Sequence, residues 1–147
     1  MKVKEEIKEK FIEAMISLSR SLKNETESCG KLCGGVNEKE LTVISFVGQK
    51  KNVKMSDIAD NINAPVSTLT NIVDKLVDRK FLSRDHSGED RRVINVTLGP
   101  AGKDAYKNLL TQKKKVAERM LSHLSEKDQA LVIKHLNDVA AGIVTPK

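Results

Sequence analysis

Four consecutive residues, Glu89-Asp90-Arg91-Arg92, set two carboxylates directly against two guanidinium groups. They lie in the stretch HSGEDRRVINVTLGPAGK, His86 to Lys103, which opens polar and loop-like and then alternates. Val93, Asn95 and Thr97 fall on one face of the alternation, and Ile94, Val96 and Leu98 on the other, the period of a strand. Gly99-Pro100 then interrupts it. The pattern predicts a strand returning from a turn, with the arginines at the tip of a short hairpin. An exposed charge cluster of this kind adds little to stability. An arginine on a thin loop can, however, enter a narrow, electronegative minor groove.

A second group of chemically useful residues precedes the hairpin. Ser67, Thr68, Thr70 and Asn71 are short polar side chains near the start of a predicted helix. Such side chains approach base edges and phosphates without bulk, and a recognition helix reads with this end. Lys75, Arg79 and Lys80 lie further along, within reach of a phosphate backbone, and Arg84 follows on the first strand. Each item has a plainer reading: caps, solvated charges, or cations favourable near a helix C-terminus. Their order along the chain is what carries weight.

The only two cysteines are Cys29 and Cys33. Their spacing differs from the usual zinc pair, there is no second pair, and His86, His123 and His135 are scattered. No metal site is expected. If the segment is helical, the thiols share a face at i,i+4. Two readings stay open: small core residues, or a redox pair with Lys31 as a nearby cation favouring thiolate.

The elements that must position these groups follow from periodicity. Ile7, Phe11, Met15, Leu18 and Leu22 form one stripe on a helix from Lys2 to about Asn24, and SCGKLCGG then breaks the pattern. Asn37 to Glu40 reads as a capping box for a helix through Leu41, Ile44 and Val47 that stops at Gly48. Ser56 is the expected N-cap of a short helix carrying Ile58, Ala59 and Ile62. Asn63-Ala64-Pro65 makes a turn, and Leu69, Ile72, Val73, Leu76 and Val77 give the next stripe. After the hairpin, Ala101, Ala105, Leu109, Val116, Met120 and Leu124 continue at a helical period, with the polar run Thr111 to Lys115 interrupting the stripe. Ser125 to Asp128 resembles a capping box for a last helix ending at Gly142 or Pro146.

Composition narrows the partners. The 147 residues carry a net charge of +6, which favours a polyanion without specifying one. Between Lys50 and Arg92 there are nine Lys/Arg and seven Asp/Glu, a net of only +2, so placement of charge matters more than its amount. Aromatics are 3% with no Trp, too few for a stacking platform for single strands. No apolar run approaches the roughly 20 residues of a membrane span, and MKVKEEIKEKF lacks the apolar centre of a signal peptide. A cytoplasmic location with no membrane partner is expected. There is no nucleophile-base-orienter set and no phosphate loop, so no enzymatic activity and no cofactor are expected.

Helix, turn, helix and hairpin in this order is the winged helix-turn-helix arrangement. The expected fold class is mainly α (α+β): a winged domain over 37–99, flanked by long helices in 1–36 and 100–147. A core of about 60 residues cannot cover all the flanking stripes. They are expected to pack on one another and on a second chain; an intrachain three-helix bundle is the alternative.

The segments IADNINAPVSTLTNIVDKLVDRKFLSR and EDRRVINVTLGPAGK resemble the multiple-antibiotic-resistance regulator (MarR) family of transcription factors. The resemblance covers almost the whole chain. It implies a homodimer with interlocked terminal helices, a recognition helix in the major groove of double-stranded DNA and a wing in the adjacent minor groove. By the family pattern, Arg92 resembles the wing-tip minor-groove residue, Asp90 the acid that orients it, and Arg84 a supporting basic residue on the strand. Ser67, Thr68, Thr70 and Asn71 fall where the family reads bases and phosphates. The resemblance further implies a pseudo-palindromic operator, repression by occlusion, and a small-molecule effector between the dimer helices and the DNA-binding lobe, where no ligand motif is recognisable. The chain departs from the pattern at Asn71, where many relatives carry Arg or Lys, and at Gly99, where many carry Thr or Ser. The alternative from another class is a winged protein-interaction module that does not read DNA.

Overall fold

The computed structural model describes residues 1–86 and 88–143. The chain divides into two compact units, residues 1–111 and 112–147.

The first unit opens with α1 (Glu5–Leu32). Its start carries Glu5 and Glu6, which suit the positive end of the helix. The sequence predicted a break at SCGKLCGG, but the helix runs on to Leu32. Gly30 belongs inside it because a β-carbon there would collide with the Val36 carbonyl, so glycine permits the close approach. The chain reverses at Gly34 and Gly35, both at positive φ (95° and 73°).

Helix α2 (Glu38–Lys50) begins with the predicted capping box. The Glu40 amide donates to Asn37 Oδ1, and the Asn37 amide donates to Glu40 Oε2, each at 2.9 Å. The helix passes the predicted stop at Gly48. That glycine is retained because the Tyr106 ring lies against it, and the helix ends at Lys51 with φ 71°.

Strand β1 (Val53–Lys54) leads into α3 (Met55–Ile62). This helix starts ahead of the expected Ser56 cap: the Lys54 amide donates to the Asp57 carboxylate at 3.3 Å. Asn63 ends it in the left-handed region at φ 51°, and Pro65 precedes α4 (Val66–Asp78) as the sequence required.

Strands β2 (Leu82–His86) and β3 (Ile94–Leu98) form the predicted hairpin. The sheet nevertheless has three strands in the order β1-β3-β2, all antiparallel, with Val96 opposite both Val53 and Arg84. Strand β1 is two residues long, too short to show a period in the sequence. The core lies between helices and sheet, where Val43, Ile44 and Val47, Ile58, Leu69, Val73, Leu76 and Val96 are wholly buried.

Helix α5 (Pro100–Leu121) follows, with its helical hydrogen bonds uninterrupted by the polar run. In the second unit, α6 (Glu126–Ile143) starts at the predicted signal: the Asp128 amide donates to Ser125 Oγ at 3.2 Å. It continues through Gly142, while Pro146 lies outside the described residues. Among the described residues, no helix is long and apolar enough to cross a membrane.

Candidate nucleic-acid interface

The α4 stripe fixes which side of that helix faces outward. With Leu69, Val73 and Leu76 wholly buried, Ser67, Thr68, Asn71 and Lys75 are left exposed. Thr70 is half-buried, and its hydroxyl donates to the Val66 carbonyl at 2.8 Å. That donor is therefore spent on the helix, and the oxygen can act outward only as an acceptor. Lys80 is exposed as well.

Arg84 and Asp74 connect this helix to the wing. Arg84 Nη1 lies 2.6 Å from Asp74 Oδ1, an ionic contact rather than a directed hydrogen bond. Both side chains are partly exposed, so the pair contributes little to stability. The contact runs from strand β2 to α4. Asp74 escaped the sequence reading because an acid on a recognition helix looks like an outward charge until its strand partner is known.

The wing tip is a tight turn. The Val93 amide donates to the Asp90 carbonyl at 3.0 Å, and the Arg92 amide donates to Asp90 Oδ1 at 2.9 Å. Asp90 thus orients Arg92 through its backbone, as an Asx turn does. His86 Nδ1 stands 2.9 Å from the Arg91 carbonyl, which only accepts, so this ring nitrogen carries the hydrogen. Sequence reasoning missed His86, whose role depends on hairpin register. Both Arg91 and Arg92 are exposed.

Arg79 departs from the expected outward reach. Its guanidinium Nη2 donates to the Gly34 carbonyl at 2.7 Å, and Nη1 lies 3.5 Å from Glu40 Oε2. Although exposed, it is bound to the turn after α1 and to α2 and does not extend outward in the row that includes Lys75.

The thiols sit at the end of α1, one helical turn apart and 3.6 Å from each other. Both are free and buried, and Cys33 Sγ lies 3.5 Å from the Ala105 carbonyl oxygen. Burial pushes the Cys33 thiol up to about 12, helped by its hydrogen bond and charge interaction with Cys29. The expectation that Lys31 favours a thiolate therefore fails for Cys33: Lys31 is exposed, and desolvation dominates. Among the described residues, no group of three or more His, Cys, Asp or Glu side chains could hold a metal ion.

Comparison with known proteins agrees with this architecture. The profile of the MarR family matches residues 36–94, from the turn before α2 to the start of β3. The HTH-type transcriptional repressor MdtR of Bacillus subtilis is 30% identical over 94 residues, covering 64% of this chain and 61% of MdtR. The chain thus matches about three-fifths of that relative's length. The crystal structure of the YusO protein from Bacillus subtilis superimposes with a TM-score of 0.74 at 24% identity, covering 97% of this chain and 100% of YusO. Streptococcus pneumoniae FabT, solved in complex with DNA, superimposes with a TM-score of 0.82 at 20% identity, covering 92% and 96% of the two chains. These two likenesses establish the fold.

Proposed function

Because residues 36–94 are a MarR-family domain, we propose that the protein is a dimeric, sequence-specific DNA-binding transcriptional regulator that acts as a repressor. One observation carries the reading most directly. The exposed face of α4 presents short polar side chains, and beside it a turn held by Asp90 and His86 projects two exposed arginines. Ser67, Thr68, Thr70, Asn71 and Lys75 would meet the major groove, while Arg91 and Arg92 would enter the minor groove. Arg84 would hold the wing at its working angle. The relative MdtR is named a repressor and FabT was solved with DNA, which supports the same assignment.

In this reading residues 37–99 bind DNA and the helices of 1–36 and 100–147 form the dimer. The exposed apolar side chains on α1, such as Ile12 and Ile16, and on α6, such as Leu136 and Ile143, support a second copy as the partner. A two-fold dimer places two recognition helices on a pseudo-palindromic operator and blocks polymerase by occupancy. Of the two release signals, a small-molecule effector fits better than oxidation. The thiols are buried, and Cys33 holds its proton far above neutral pH, whereas a sensor cysteine needs thiolate and access.

The test is a mobility-shift titration with duplex from upstream of the protein's own gene and a scrambled duplex of equal length, over a range of salt. Preference for the upstream duplex is expected. Arg92→Ala should weaken binding to it by roughly tenfold or more at matched salt, with unchanged thermal unfolding. Equal affinity for both duplexes would refute sequence-specific regulation, and full affinity of the Arg92 variant would remove the wing from the site.

A further inference from the structure

We propose that Arg79 is a positioning residue for DNA recognition, a latch that fastens the C-terminal end of α4 to the turn between α1 and α2. The inference rests on the DNA-reading function proposed above and names a residue on which that function depends without DNA contact.

The geometry is specific. Arg79 is the residue at which α4 stops. Its Nη2 donates to Gly34 O at 2.7 Å and lies 3.4 Å from Gly35 O. Its Nη1 faces Glu40 Oε2 at 3.5 Å, and its guanidinium carbon stands 4.9 Å from the centre of the Phe81 ring. One side chain thus joins the end of α1, the first turn of α2 and the residue leading into the wing. Only arginine has the planar fork to bond carbonyls, face a carboxylate and stack on a ring together; a lysine ammonium cannot do all three.

The partners are built for this contact. Glu40 is 8% exposed, and its carboxylate already accepts the Asn37 amide. A carboxylate so enclosed needs a cation beside it. Gly34 turns its carbonyl toward Arg79 from a φ of 95°, and a β-carbon at Gly34 would stand 2.9 Å from the Phe81 ring. The turn, the ring and the guanidinium therefore form one packed cluster. The end of α4 is closed by Lys80 at φ 65°, with the Phe81 amide donating to Leu76 O at 2.8 Å and the Lys80 amide to Val77 O at 3.0 Å. This is a Schellman ending that a lysine occupies against its steric preference. The latch holds that ending in place.

The consequence separates two kinds of binding. Leu69, Val73 and Leu76 keep α4 docked whether or not the latch is made. Losing it frees the angle of the helix, which base readout requires and which general attraction to phosphates does not. If Arg79 instead neutralised a phosphate, its removal would reduce the salt dependence by about one contact and weaken all sequences alike.

The test compares Arg79→Gln and Gly34→Ala with the wild-type full chain on the upstream and scrambled duplexes across a salt titration. Hydrogen exchange of the amides of residues 79–81 is followed alongside. The latch predicts a loss of roughly tenfold for the upstream duplex in both variants, about the worth of one charge-assisted hydrogen bond. It also predicts unchanged scrambled-duplex affinity, an unchanged salt slope and faster exchange at the end of α4. Gly34→Ala alters no charge, so it keeps the prediction decidable if Arg79→Gln does not fold. A reduced salt slope with equal weakening on both duplexes, or unaltered exchange, would overturn the latch. A wild-type protein indifferent to sequence would overturn the regulator reading and this role in recognition together, whereas altered exchange confined to residues 79–81 would still establish the contact itself.

Discussion

Helices α4 and α6 both carry an apolar stripe at helical spacing, yet Leu69, Val73 and Leu76 of α4 are wholly buried while Leu136 and Ile143 of α6 stand 53% and 67% exposed. No described residue of α6 is buried, and in α1 burial is confined to Cys29 and Gly30 near its end. A stripe therefore tells which face is apolar and not what covers it. In the winged centre the chain covers its own stripes with three helices and a sheet. In the terminal helices the same chemistry leaves large side chains in water, a cost of about 25 cal/mol per Å² that a partner surface would remove. One region is complete as folded; the dimeric reading holds that the other is completed by association.

The sharpest way to break this contrast is to truncate one residue in each region. Leu76→Ala should lower the unfolding free energy by about 2–5 kcal/mol, because the α4 side chain is fully enclosed and its removal leaves a cavity that neighbours fill only in part. Denaturant titration measures it, and a loss under about 1 kcal/mol would mean that the centre is looser than its burial implies. Next in size is Leu136→Glu. In a lone chain, a carboxylate at a half-exposed position changes stability by no more than about 0.5 kcal/mol. Between paired helices it should raise the dimer dissociation constant at least tenfold, about 1.4 kcal/mol. Sedimentation over a concentration series reads this directly; an unaltered monomer-dimer equilibrium would exclude this face of α6 from the interface.

The same contrast explains what could be seen in the sequence. Features set by neighbours along the chain were legible: the Asn37–Glu40 box, the Ser125–Asp128 start, the turn through Asn63 to Pro65, and the hairpin with Asp90 beside its arginines. Features set by distant partners were not. Gly30 and Gly48 look like helix breakers until Val36 and Tyr106 are known to lie against them. Strand β1 exists because β3 offers it a free edge, and two residues hold no periodicity. At the candidate interface, residue types and the exposed face of α4 were readable. The partners of Arg79 and Arg84 were not, since an arginine that extends outward and one bound to its own domain have the same letter and similar spacing. Long side chains are the least legible of all, because their reach exceeds the local geometry that sequence encodes.

The smallest expected effect lies where the two regions meet in sequence, at the thiols that close α1. Cys33 is held protonated up to about 12 against an ordinary value of 9.0. As pH rises past 9.0 the unfolded chain gives up this proton while the folded chain keeps it, so the unfolded state binds fewer protons. Stability linked to the thiol is complete below pH 9.0 and is lost progressively between 9.0 and about 12. The informative quantity is the difference between wild type and Cys33→Ala, which isolates this thiol from every other group. The wild-type unfolding free energy should fall more steeply with pH than that of the variant across this window. Parallel slopes would mean that the thiol is solvated in the folded state. Because that site is the last turn of α1, the result would extend the open character of its apolar stripe to its end and leave Gly34 and Arg79 as the boundary of the self-sufficient region.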